Sequence, residues 1–134
     1  MAELKNPIKE AERYLDNAKQ ILSEKAEKNG DYYNDRKYVK MAGNTAWNGV
    51  LVALDATLNV RKNLKKGTRP DVNDYQKALL AKDRKLNFVF MSAYDTLHKS
   101  MGYDGILKQK IVQSGMEDAV NILTWASKHY KSPA

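Results

Sequence analysis

Two sets of side chains in this sequence have the types and spacing to do chemistry. The first is split between two helical segments. Asn44, Asn48, Asp55 and Asn59 recur so that, at 100° per residue, they fall within a sector of roughly 60°. Asn87, Met91, Tyr94 and His98 share a sector of about the same width. Should the two faces meet, Asn44, Asn48, Asp55, Tyr94 and His98 would form a pocket of amides, a carboxylate, a phenol and an imidazole. Such a pocket would hold a small polar ligand, or would let His98 act as a general base oriented by a carboxylate. The plainer reading is that Asp55 and the asparagines face solvent or satisfy helix ends, and that His98 is a partly buried surface histidine.

The second set is a run of cations. Arg61, Lys62, Lys65, Lys66 and Arg69 place five positive charges in nine residues with no acid among them. Lys77, Lys82, Arg84 and Lys85 follow. Lys and Arg at this density can contact phosphates without reading sequence, which makes these five the candidate polyanion-binding residues. A solvated charge run is the alternative. Tyr75 is the only aromatic in this part, so a base-stacking platform has little support.

Other chemistries are poorly served. The two histidines, His98 and His129, form no i, i+4 pair and no Glu-x-x-His motif, so no zinc or di-iron site is expected. There is no Gly-x-Ser-x-Gly, Walker or dinucleotide motif. The chain has no cysteine, which excludes disulfides, thiolate metal sites and cysteine nucleophiles. No catalytic residue and no cofactor are assigned, and the balance leans away from an enzyme.

The elements that must position these residues are helical. A first helix is expected from about Pro7 to Lys28, with Asn6 as N-cap and Pro7 in the first turn. Leu4, Ile8, Ala11, Leu15, Ala18 and Leu22 line one face, and Asn29-Gly30 ends it. A second, from Asp35 to about Leu64, is apolar over most of its circumference, which places it inside a bundle. Its Gly43 and Gly49 read as close packing, because no strand precedes them to build a phosphate loop. A third is expected from Asp71, capped with Asp74 three residues on, to about Lys99, with a break near Lys82-Asp83. A fourth runs from about Ile106 to Tyr130, after the turn Met101-Gly102-Tyr103-Asp104-Gly105. Strand signals are weak. The short connections give an all-α, up-and-down four-helix bundle with a broken third helix, as one domain over residues 1–134.

The net charge is +7 over 134 residues, unevenly spread. Residues 1–35 hold six Lys/Arg and eight Asp/Glu; residues 36–134 hold seventeen and eight. No signal peptide is expected from the charged N-terminus, and with no run of about 18 apolar residues no membrane span is expected. A cytoplasmic location is expected. Tyr32, Tyr33, Tyr38, Trp47, Tyr94, Tyr103, Trp125 and Tyr130 are core by default, or cover a dimer seam.

Two strings, AWNGVLVALDATL in the second helix and AYDTLHKSMGYDGIL at the third-to-fourth helix turn, resemble a small bacterial family catalogued only as a domain of unknown function. The resemblance runs roughly from Ala11 to Trp125. That family in turn is similar to the HEPN superfamily, which implies a four- to five-helix bundle, frequent homodimers and RNA-linked biology. Active HEPN ribonucleases carry an Arg, four to six residues, then a His. Here Arg84 stands fourteen residues before His98, so that motif is absent. The resemblance therefore implies the non-catalytic branch, whose members bind nucleotides or partner proteins. The expectation is an interaction module with RNA or a protein as partner; the alternative is a ligand-binding protein or enzyme using the polar pocket.

Overall fold

Local sequence chemistry sets the ends of the first helix. In the computed structural model, which describes residues 6–131, α1 spans Pro7–Ile21. The Asn6 side chain accepts from the Lys9 amide at 3.1 Å, which satisfies one of the donors a helix start leaves open. Ile8, Ala11, Leu15 and Ala18 are buried as their spacing predicts, while Leu4 lies outside the described residues. The last turn widens to π-helical bonding over Leu22–Ala26, and Glu27 leaves the helix with φ 56°.

Asn29-Gly30 does not stop this helix, contrary to expectation. It belongs to a hairpin, β1 (Lys28–Asn29) paired antiparallel with β2 (Tyr32–Tyr33). Gly30, at φ +62°, supplies the left-handed turn position. Tyr33 donates its amide to the Leu107 carbonyl at 2.8 Å, and Gln109 Nε2 donates to the Gly30 and Tyr32 carbonyls. That union explains why the last helix starts at Gln109 and not at Ile106: Lys108 is extended and bridged to Tyr32, while the Ile106 amide is tied back to the Ser100 carbonyl.

Helix α2 (Arg36–Leu58) begins at Asp35, whose carboxylate accepts from the Lys37 amide at 3.0 Å. It packs against α1, against α5 (Gln109–His129) and against the π-helical segment Tyr94–Met101. Its small residues make this possible. A Cβ on Gly43 would lie 2.6 Å from the Leu97 carbonyl oxygen, and one on Gly49 would lie 2.9 Å from Tyr14 Cβ. Both glycines are therefore close-approach positions.

The second helix is shorter than its pattern suggested. Asn59 adopts φ 52°, ψ 48° and caps α2 in the left-handed conformation, so it leaves the helical polar line. A short 3-10 turn, Val60–Asn63, follows. Then α3 (Val72–Lys82) opens on a complete capping box between Asp71 and Asp74. The break expected near Lys82-Asp83 is present. Asp83 is extended at φ −158°, ψ 100°, and its carboxylate caps α4 (Arg84–Ala93) by accepting from the Leu86 amide. The described residues thus form five α-helices and one two-stranded hairpin. Ser92 Oγ donates to Asp118 Oδ2 at 2.6 Å and ties α4 to α5; burial holds that carboxyl above its usual range, with the Ser92 bond opposing the shift.

Candidate functional site: a basic edge around the α2–α3 connection

Helical periodicity fixes where a side chain sits on its own helix, and packing fixes what it meets. The five polar residues expected in one pocket are divided. Tyr94 and His98 stack at 5.4 Å between ring centroids, 18° from parallel. The group from α2 that meets them is the Trp47 indole, at 5.5 and 5.9 Å. Asn44 donates to the Gly102 carbonyl at 3.3 Å and, like Asn48 and His98, is exposed. Among the described residues, none of the five most prominent clefts is lined by Asn44, Asn48, Tyr94 or His98.

Asp55 turns elsewhere. Its Oδ1 accepts from the Tyr75 hydroxyl of α3 at 2.7 Å, and its Oδ2 lies 3.8 Å from the Arg61 guanidinium. Tyr75 is buried and its ring packs 5.8 Å from Phe90. Burial pushes its phenol well above the usual range, and the bond to the Asp55 carboxylate pushes it further, while the Arg61 and Arg69 charges pull the other way. Asp55 is thus a structural tie between α2 and α3, and one acid does sit beside the cation run.

The remaining cations form an edge. Lys62, Lys65, Lys66 and Arg69 are exposed, and none of them forms an ion pair among the described residues. Lys65–Thr68 makes a tight turn, with the Thr68 amide donating to the Lys65 carbonyl at 2.9 Å and Gly67 at φ +87°. Beside it, the 3-10 turn and α3 enclose a cleft of about 590 Å³. Leu58, Val60, Leu64, Ala78 and Ala81 line it, and Lys62, Lys77, Lys82 and Asp74 supply its charge. Asp74 is committed to its cap, accepting from the Asp71 amide at 2.8 Å. Sequence reading selected Lys62 but joined Lys77 and Lys82 to it only as neighbours in order. The turn at Gly67 is what brings α3 back alongside the run.

A second groove, of about 420 Å³, lies between α1 and α5. Glu12 and Asp16 oppose Lys19 and Lys128 there, so it presents no field of one sign. Tyr32 and Tyr103 are exposed, against the core default, whereas Tyr33 and Trp47 are buried. No described helix is long and apolar enough to cross a membrane.

Comparison with known proteins agrees with this fold. No curated protein matches the chain. A protein of unknown function from Dyadobacter fermentans is similar in structure at a TM-score of 0.81 and is 40% identical, over 91% of this chain and 93% of that one. The family model described as Domain of unknown function (DUF5618) matches residues 6–128, and the chain belongs to that family.

Proposed function

We propose that this protein is a non-catalytic, HEPN-like binding module whose basic edge takes the phosphate backbone of RNA. The observation that carries the reading is the cleft beside the α2–α3 connection, where Lys62, Lys77 and Lys82 converge and the single acid is held in a helix cap. Lys65, Lys66 and Arg69 extend the same positive field along the adjoining turn. Exposed, flexible cations of this kind exchange condensed counterions for protein contacts and read no sequence. This reading counts α3 and α4 as one helix interrupted at Asp83, and the single residue between them supports it.

Fluorescence anisotropy with labelled RNA at two salt concentrations tests this. Binding should weaken steeply with salt, by about 0.7 log units per log unit of salt for each phosphate contacted on a single strand. Reversing Lys62, Lys65 and Lys66 to Glu should abolish binding without unfolding the protein. Binding that ignores salt or survives the reversal would overturn the reading.

A further inference from the structure

Tyr75, the aromatic nearest the cations in sequence, is buried and bonded to Asp55, so it cannot offer a stacking face. A different ring does. Phe88 is 77% exposed on α4, while Leu86 and Phe90 on either side of it are buried. Arg84 and Lys85 precede it by four and three residues and are its neighbours on the helix surface, about 5–6 Å away between Cβ atoms. Both are exposed. The chain turns at Asp83, so this face directly follows Lys82, which lines the basic cleft. No acid stands between Arg84 and Tyr94 in sequence, and the acid that reaches this helix, Asp118 of α5, is bonded to Ser92 one turn beyond Phe88. Val89 and Met91 are partly buried against the core, so Phe88 is the one large apolar side chain that α4 leaves exposed. A membrane or protein docking patch needs several hundred Å² of contiguous apolar surface, whereas a base needs one flat ring between cations that hold its phosphates.

We infer that Phe88 is a stacking platform for an unpaired base, and that the nucleic acid held by the basic edge is single-stranded. This rests on the RNA-binding reading above and adds the strand class to it.

The test is anisotropy with a labelled oligouridine and with a duplex RNA of equal length, using the wild type, Phe88→Ala, Phe88→Trp and the Lys65→Glu/Lys66→Glu pair. The wild type should prefer the single strand. Phe88→Ala should lose about tenfold on the single strand, within what one stacked base contributes, and keep its duplex affinity. Phe88→Trp should hold the wild-type value, and the Lys pair should lose both ligands. The side chain is exposed, so an unchanged far-UV spectrum and melting temperature are expected for Phe88→Ala. Single-strand binding that survives Phe88→Ala but not the Lys reversals would overturn the platform and leave the RNA reading standing. Equal loss in Phe88→Ala and Phe88→Trp would overturn it as well. Absence of binding to either RNA at low salt would remove both readings. If Phe88-dependent binding then appeared on phosphatidylserine vesicles, the face would be a membrane contact.

Discussion

At the scale of the residue, the Tyr75–Asp55 hydrogen bond is a polar tie between separate elements. It joins α2 to α3 at 2.7 Å beneath the basic edge and has a charged acceptor on a half-buried carboxylate. Tyr75→Phe removes the donor and leaves that acceptor underused, so urea denaturation should show a loss of about 1–2 kcal/mol. The phenol also carries a pH dependence. Tyr75 and Tyr33 both titrate above the ordinary value of 10.0 when folded. For a group whose folded pKa is raised, the stabilisation is complete below the unfolded pKa and is lost as pH rises above it. Stability should therefore fall as pH climbs through about 10, and the fall should be shallower in Tyr75→Phe. His98 provides the contrast. It is exposed and packs only its ring face against Tyr94 and Trp47, so His98→Ala should change stability by about 0.5 kcal/mol or less.

At the scale of the element, caps and close approaches define the fold. Asp35, Asp71 and Asp83 each start a helix by accepting from an amide two or three residues on. Asp83 also separates α3 from α4, so its loss does more than fray one end. Asp83→Ala should cost about 1 kcal/mol and reduce the distinction between the two helices, readable as faster amide exchange at Leu86 and Asn87. Gly43 sets how near α2 lies to the π-helical segment. Its Cβ would sit 2.6 Å from both the Leu97 carbonyl oxygen and Met101 Cβ, backbone and near-backbone atoms that cannot swing away. Gly43→Ala should force the helices apart and lower stability by about 1–3 kcal/mol in thermal unfolding. Gly105 combines φ +65° with the Arg36 side chain in the space a Cβ would take. Arg36 in turn donates to the Asp104 and Gly105 carbonyls, so this corner locks the start of α2 to the turn before α5.

At the scale of the whole molecule, the positive field concentrates where α2 hands over to α3. Asp55 is the acid that pairs with a cation of that run, 3.8 Å from Arg61. Asp55→Asn removes one negative charge beside the cations and releases Arg61 toward solvent. RNA affinity should rise several-fold at low salt, with a steeper salt dependence, while thermal stability falls through the weakened bond to Tyr75. A change of affinity without the change in salt dependence would point to a rearranged edge and not to its charge.

The sequence alone determined whatever depends on near neighbours along the chain. Asn6 and the Asp71/Asp74 box were readable as caps because a cap is a contact across two or three residues. The apolar face of α1, the break at Asp83 and the density of cations at 61–69 were readable for the same reason. Two punctuation signals were misassigned: Asn29-Gly30 turned a hairpin and Asn59 ended a helix, because Gly and Asn favour left-handed backbone in either setting. Only the tertiary structure decided which faces meet. A helical wheel gives the angle of a residue about its own axis and nothing of how the next helix is rotated or shifted against it. That relative placement sent Asp55 to Tyr75 and gave His98 a Trp47 face. The same packing buried Phe90 and left Phe88, two residues earlier on the opposite side of α4, exposed.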